Sequence, residues 1–318
     1  MGSPAPCSMV GVGRRLILLL VAIVVAAGAL TGIWLVHGGR NTRAHPREVG
    51  QAPGPPKGSV VLARESRELA VALAVQPSRP LHVTATVVGQ SGSGVDGLAV
   101  ALTATGKSGQ STTPGRPCGH GCYRATLSVA APTRFTVRMT GAGAPHVVVF
   151  PVAGPWPPAD GSRFLGRATR AFRRRRSVLF RESLSGGLGH SVLTTWKLAA
   201  PDRIEYRIQG GAAGIVIGTR RWDRSNRGLP WAQSQTTLLP QPTAPWGSRI
   251  TNAHILARTP RQLTASWVDP VVPAWFTATF DRRTALPIEL RMTAASHFMR
   301  QRYVAFDRKL RIVPPKAK

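Results

Sequence analysis

The chain has 318 residues, of which 43% are hydrophobic, and its formal net charge is +29. This apolar content is that of a folded protein and excludes an intrinsically disordered chain. Only 13 carboxylates oppose 42 cationic side chains, so the surface should attract anionic partners, either phospholipid headgroups outside a membrane or nucleic acid inside a cell.

The first long apolar segment is Leu16–Val36 (LILLLVAIVVAAGALTGIWLV), which contains no charged residue. As a helix at about 1.5 Å per residue it spans roughly 30 Å, the thickness of the hydrocarbon core of a bilayer. An export signal usually has an apolar core of only about 7–15 residues, so the segment favours an uncleaved signal anchor over the alternative, a cleaved signal peptide. We therefore expect residues 1–15 in the cytoplasm, a transmembrane helix over residues 16–36, and residues 37–318 outside a cell membrane crossed once. This topology directs the basic surface toward anionic lipid and away from nucleic acid.

Two of the three cysteines, Cys118 and Cys122, stand in the segment CGHGC. In an oxidising compartment they are expected to form a small disulfide loop, whose glycines permit the tight geometry. The alternative is metal binding through Cys118, His120 and Cys122. This set lacks a fourth ligand and the two-residue spacing of a zinc knuckle.

Residues 37–58 are rich in Pro, Gly and Arg and predict a linker. Residues 59–152 alternate apolar with polar residues between Gly and Pro clusters, which predicts an all-β, immunoglobulin-like sandwich. The segment around Val95–Leu102, followed by CYRATL, resembles small extracytoplasmic domains related to YtkA. That resemblance implies an association with copper-handling membrane proteins. Strands are expected at Glu68–Val75, Leu81–Val88, Leu98–Thr105, Tyr123–Val129, Phe135–Thr140 and His146–Phe150.

A Pro-rich linker over residues 153–160 precedes a second domain, residues 161–318. Asp160 or Ser162 is expected to cap a helix through about Arg176, with an apolar stripe on one side and exposed Arg on the other. This basic face is either solvated or docks lipid headgroups or a partner. One helix against successive strands predicts an α+β fold with a large curved sheet. The strands are expected at Ser177–Leu184, His190–Leu198, Arg203–Gln209, Gly214–Trp222, Ile250–Ala257, Leu263–Val268, Trp275–Phe280, Ile288–Thr293 and His297–Phe306.

Several segments of the second domain resemble the LolA/LppX-type lipoprotein-carrier superfamily: FRESLSGG, Ala200–Arg203 (APDR), Ile215–Arg224 (IVIGTRRWDR) and Phe280–Met292 (FDRRTALPIELRM). The resemblance implies an open half-barrel, lined by apolar side chains and covered by helix, that binds lipophilic ligands or serves as a sensor. It implies no catalytic residues and no cofactor. The residues that match the lining strands are Phe180, Trp196, Tyr206, Ile215, Ile217, Trp222, Trp267, Trp275 and Phe276.

The sequence does not predict an enzyme, because its carboxylates are scattered and Gly189–Ser191 lacks the frame of a nucleophile elbow. The leading hypothesis is a membrane-anchored extracytoplasmic protein that binds a lipophilic ligand. One alternative is an envelope sensor or scaffold that binds a protein partner. The other is extracytoplasmic copper handling through Met292, His297 and Met299, because thioether and imidazole groups bind Cu(I). The same three side chains are also ordinary packing residues.

Overall fold

The computed structural model describes residues 48–51 and 53–316, except residues 142–144, 188 and 247–248. These residues form two β-domains and one helix. The strands of the first domain are β1 (Glu48–Gln51), β2 (Val60–Ser66), β3 (Leu69–Gln76), β4 (Leu81–Val88), β5 (Ser93–Val95), β6 (Ala99–Gly106), β7 (Gly109–Pro114), β8 (Arg116–Gly119), β9 (Cys122–Leu127), β10 (Pro132–Thr140) and β11 (His146–Pro151).

The first domain is built of two antiparallel sheets that contribute to one core. One sheet has the order β1-β5-β4-β3-β2, with β9 also paired to β4 and β8 to β9; the other has the order β11-β10-β6-β7. Every second residue of β10 from Phe135 is buried (Phe135, Val137 and Met139), because side chains alternate between the faces of a strand. The hydroxyl of Tyr123 donates a hydrogen bond to the carbonyl of Val95 at 2.8 Å and satisfies the one polar group that this ring brings into the core.

The second domain consists of one helix and one continuous antiparallel sheet. The sheet order is β12-β19-β20-β21-β22-β23-β13-β14-β15-β16-β17-β18, so β12 and β18 are its two edges. The face toward the helix is termed the helix face, and the opposite one the outer face. The elements are α1 (Ser162–Arg173), β12 (Ala159–Asp160), β13 (Ser177–Ser185), β14 (Ser191–Ala199), β15 (Arg203–Ile208), β16 (Ala213–Ile217), β17 (Arg220–Arg224), β18 (Ala232–Gln235), β19 (Thr251–Arg258), β20 (Gln262–Asp269), β21 (Ala274–Asp281), β22 (Pro287–Ala294) and β23 (His297–Phe306).

Helix α1 forms because its apolar residues recur at helical spacing. Leu165, Ala168 and Phe172 are all fully buried, on the side that faces the sheet. Before the first turn, the carboxylate of Asp160 accepts hydrogen bonds from the backbone N–H of Ser162 at 3.0 Å and from its hydroxyl at 2.7 Å. The N-cap position is Gly161 and no side chain caps the helix, so the predicted cap by Asp160 or Ser162 is wrong. Asp160 instead fixes the turn that precedes the helix.

The helix ends at Arg173, three residues before the predicted Arg176. Asp307 explains the early end, because its carboxylate binds the residues that follow the helix. It accepts a hydrogen bond from the backbone N–H of Arg176 at 2.6 Å, and it forms an ion pair with Arg175 at 2.9 Å. The chain is thereby turned into β13 instead of continuing as helix.

The fold class expected from the sequence is wrong. The described residues are mostly antiparallel strand, and α1, with 12 residues, is too short to make the second domain an α+β half-barrel. At about 1.5 Å per residue it is only about 18 Å long, whereas the sheet places twelve strands about 4.8 Å apart. No helix in the described part of the chain is long and apolar enough to cross a bilayer. The transmembrane helix predicted over Leu16–Val36 lies outside the described residues.

The first domain packs against the outer face of the second-domain sheet. Strand β2 crosses β19, β20, β21 and β22. Phe298, which is 4% exposed, packs against Ala70 and Val88 of the first domain. The side-chain amide of Asn252 donates a hydrogen bond to the carbonyl of Pro56 at 2.7 Å. These contacts leave the helix face of the sheet free of the first domain.

Candidate functional site

A row of aromatic rings crosses the helix face, one ring from each of four neighbouring strands. Tyr303 on β23, Phe180 on β13, Trp196 on β14 and Tyr206 on β15 are successive register partners. Their ring centroids lie 5.4, 6.0 and 5.1 Å apart in that order, which is the spacing of packed aromatic pairs. These four residues are termed the aromatic row. Phe172 of α1 continues the row, with its ring centroid 5.9 Å from that of Tyr303.

The aromatic row ends on a glycine and a carboxylate. Gly214 on β16 is the register partner of Tyr206, and a Cβ atom there would lie 2.2 Å from the tyrosine ring. The tyrosine hydroxyl donates a hydrogen bond to Asp223 at 3.0 Å, and Arg221 binds the same carboxylate at 2.6 and 3.0 Å. Burial, followed by the charge of Asp223, raises the pKa of Tyr206 to about 12. The phenol is therefore neutral and held in one position.

A carboxyl group lies beside the aromatic row. Glu182 follows Phe180 on the helix face of β13, and its Oε1 accepts a hydrogen bond from Nε1 of Trp196 at 3.2 Å. Its Oε2 accepts one from the amide of Gln301 at 2.7 Å, and that amide oxygen accepts one from the hydroxyl of Tyr303 at 2.8 Å. Burial raises the pKa of Glu182, although these two bonds to the carboxylate oppose the shift. An ionisable group with a raised pKa among apolar side chains is a common feature of ligand sites.

Next to Glu182 the helix face presents apolar side chains that are only half-buried. Leu184 and Val192 are register partners, and Met299 pairs with Leu184 on one side and with Met292 on the other. Helix α1 has its closest approach to the sheet over β19. In the strand order, β19 is separated from β13 and β14 by β20, β21, β22 and β23. Six half-buried residues make up this surface, which is termed the open shelf: Glu182, Leu184, Val192, Trp196, Met292 and Met299.

The structure divides the nine predicted lining residues between the two faces of the sheet. The division follows from the register, because directly paired residues share a face and neighbours along a strand do not. No single surface therefore includes all nine. On the helix face lie Phe180, Trp196, Tyr206, Trp267 and Phe276, and on the outer face lie Ile215, Ile217, Trp222 and Trp275.

Most of the predicted residues on the helix face are core residues. Trp267 and Phe276 stack with centroids 5.5 Å apart, and both are buried. Phe180 and Tyr206 are also buried beneath their neighbours in the aromatic row. Only Trp196 is half-buried, so it is the one predicted residue that belongs to the open shelf.

The predicted residues on the outer face are covered by other parts of the chain. Ile312 from the tail after β23 is 1% exposed and packs against Ile215 and Trp222. Nη1 of Arg203 donates a hydrogen bond to the carbonyl of Ile312 at 2.8 Å and holds this tail in place. A shallow groove of about 420 Å³ runs along the tail, lined by Arg203 and residues 309–313. Trp275 packs in the contact between the two domains.

Cys118 and Cys122 form a disulfide, which confirms that prediction. Neither sulfur remains free as a thiolate ligand, so the alternative metal set with His120 does not fit. In the described part of the chain no group of three or more His, Cys, Asp and Glu side chains is arranged to hold a metal ion.

The three residues of the predicted copper set lie on one face of two neighbouring strands. Met292 and Met299 are register partners, and His297 lies two residues before Met299 and so on the same face. Nδ1 of His297 is 2.9 Å from the carbonyl of Ala295. The tautomer that donates this hydrogen bond keeps Nε2 unprotonated and available as a metal ligand.

Sequence reasoning missed Glu182, Gln301 and Tyr303 as parts of the site. The signal for Glu182 was present, because it falls in the apolar alternation of Phe180 and Leu184 on β13. Gln301 and Tyr303 come from a strand more than 100 residues away, and nothing local marks them as its partners. No family model matches this chain, and no curated protein matches it.

Proposed function

We propose that this protein is an extracytoplasmic binding protein that holds a lipophilic ligand on the open shelf. The observation that carries the proposal is that apolar and aromatic side chains around one carboxyl group are only partly buried. Sites for lipophilic ligands combine apolar walls with a few placed polar groups. Glu182 uses one acceptor position on each oxygen for Trp196 and Gln301, and its remaining lone pairs can bind a ligand hydroxyl, amide or cation.

Two observations support a location outside the cytoplasm. The disulfide between Cys118 and Cys122 is of the kind that persists in oxidising compartments. The apolar run of residues 16–36 supports export, because it follows a pair of arginines in the manner of an export signal. Binding is favoured over catalysis because the six residues of the open shelf include no pairing of a nucleophile with a base.

A charge placed at the centre of the open shelf is expected to weaken binding of a lipophilic ligand. We expect Leu184→Glu to weaken binding of dibromostearic acid by at least about tenfold, because the ligand would cover this side chain and would have to desolvate the new charge. Bromine quenches tryptophan fluorescence at short range, and Trp196 lies on the same surface. Titration of the full-length protein with the brominated acid, against the unbrominated acid, measures the binding.

Leu193→Glu is the matched control. Leu193 is on the strand next to that of Leu184 but faces outward, where it is 46% exposed, so binding should be unchanged. Trp196→Phe should remove part of the quenching, whereas Trp231→Phe should not. Equal affinities in the two glutamate variants, or no quenching of the wild type, would contradict the proposal and favour a protein partner on this surface.

A second candidate function, the handling of Cu(I), is favoured by the arrangement of Met292, Met299 and His297. Two thioethers and one imidazole form a soft three-ligand set of the kind that selects Cu(I). The bond from His297 to the carbonyl of Ala295 orients the ring, as outer-shell partners of metal-bound histidines do.

His297→Gln is expected to lower the affinity for Cu(I) by at least about tenfold, because it removes one of three ligands. Competition between the full-length protein and a Cu(I) chelator measures this. His254→Gln is the control: Nδ1 of His254 is 3.1 Å from the carbonyl of Asn252, which repeats the geometry of His297, but its register partner is Ser266. Unchanged affinity in His297→Gln would rule out copper at this position.

A further inference from the structure

The outer face carries a cluster of arginines at the centre of the sheet. Arg181 on β13 is the register partner of Arg302 on β23, and Arg300 on β23 is the partner of Arg291 on β22. These four residues are termed the arginine cluster. Like charges directly opposite each other on neighbouring strands destabilise a sheet. The sheet therefore carries two such pairs side by side at a cost to its own stability.

One carboxylate, that of Glu289, contacts the cluster. Glu289 accepts hydrogen bonds from Nε of Arg291 at 2.8 Å and from Nη2 of Arg300 at 2.7 Å, and Nε of Arg302 lies 3.7 Å away. Burial raises the pKa of Glu289, but the bonds from Arg300 and Arg291 outweigh it and hold the pKa below its ordinary value. Glu289 is therefore ionised, and it neutralises one of four positive charges.

Two further observations describe the surroundings of the cluster. Nε of Arg300 is buried, and no acceptor among the described residues reaches it. Arg64 on β2 of the first domain adds a fifth guanidinium, since burial and then the charge of Arg291 lower its pKa. The cluster thus gathers positive charge from both domains around a single carboxylate.

We propose that the arginine cluster is a binding site for a ligand with two or more phosphate groups. Guanidinium groups bind phosphate through two parallel hydrogen bonds, and several of them side by side suit a ligand that bears several anionic oxygens. Glu289 holds Arg291 and Arg300 in place and occupies the position of one anion. The site lies on the face opposite the open shelf, so it is independent of the lipophilic ligand. An oligophosphate in solution and the headgroups of an anionic lipid surface share this chemistry.

The test compares two triple variants of the full-length protein with the same loss of charge. The cluster variant carries Arg181→Gln, Arg291→Gln and Arg302→Gln. The control variant carries Arg124→Gln, Arg134→Gln and Arg138→Gln, which are exposed arginines of the first domain. Binding of tripolyphosphate is measured by calorimetry at two salt concentrations. We expect the cluster variant to lose about tenfold or more in affinity and the control to keep it nearly unchanged, apart from a general dependence on salt.

A second variant separates a binding role from a structural one. Glu289→Gln removes the competing carboxylate, so tripolyphosphate should bind several-fold more tightly and raise the melting temperature more than in the wild type. Binding to vesicles of anionic phosphatidylglycerol, compared with vesicles of phosphatidylcholine, distinguishes lipid headgroups from an oligophosphate in solution. Weaker binding to phosphatidylglycerol in the cluster variant alone, without any tripolyphosphate binding, assigns the site to lipid headgroups. Equal losses in both triple variants, or weaker anion binding in Glu289→Gln, would overturn the proposal.

Discussion

Replacing Phe172 with alanine is expected to lower the free energy of unfolding of the second domain by about 3–5 kcal/mol. Phe172 is fully buried and is the residue through which α1 meets the aromatic row. Its ring centroid lies 5.3 Å from that of Trp246, 5.9 Å from Tyr303 and 6.1 Å from Phe306. Truncation leaves a cavity between helix and sheet that three large rings cannot fill by moving. Urea unfolding followed by circular dichroism measures the loss.

Phe164→Ala gives the comparison within the same helix. Phe164 is half-buried, and its ring centroid lies 5.2 Å from that of Phe280. Its truncation removes less buried contact and should lower the free energy of unfolding clearly less. Arg173→Ala, at an exposed position, should stay within about 0.5 kcal/mol of the wild type. A loss below about 1 kcal/mol for Phe172→Ala would show that α1 is not held by this contact.

Gly187→Ala is expected to destabilise the protein more than the same change at Gly189, although both glycines lie between β13 and β14. Both have positive φ, at +85 and +84, so alanine adds backbone strain of about 1–2 kcal/mol at either position. At Gly187 a Cβ atom would also lie 1.8 Å from the carbonyl oxygen of Arg67 in the first domain. At Gly189 nothing lies within 4 Å. The difference between the variants, about 1–3 kcal/mol, is the cost of pushing the domains apart.

Urea unfolding measures this difference in stability. Urea unfolding of both variants should show a lower midpoint for Gly187→Ala, together with a separation of the transition into two steps as the domains lose contact. Equal midpoints in the two variants would mean that the backbone at Arg67 moves away from the new Cβ atom without loss of stability.

The strands that could be predicted are those with regular alternation and a clear turn at each end. Leu81–Val88 and His297–Phe306 have the predicted bounds. Gly214–Trp222 was predicted as one strand and is two, β16 and β17, joined by a turn at Gly218 with φ of +61. The turn has no Asn-Gly or Asp-Gly signature, so only tertiary pairing reveals it.

The candidate site was predictable only where one strand contains the information. Phe180, Trp196 and Tyr206, predicted as lining residues, share the helix face, but their exposure depends on what covers them. Trp267 is buried by residues distant in the chain, and Ile215 by a tail that the sequence does not associate with it. The complete arginine cluster could not be foreseen, because Arg181 joins the arginines of β22 and β23 only through the nonlocal pairing of β13 with β23. Nonlocal register, and not local propensity, determines which side chains these surfaces bring together.

The order of the strands has a consequence for how the second domain is made. β13 is its third element along the chain, yet it lies in the middle of the sheet between β14 and β23, and β23 is the last strand in the described residues. A newly synthesised chain therefore exposes one unpaired edge of β13, nine residues long, until the residues of β23 have emerged. Unpaired strand edges promote aggregation, and contacts between distant segments form slowly. Folding of this domain must follow the completion of β23, and a chain cut before His297 is expected to aggregate and not to form a smaller sheet.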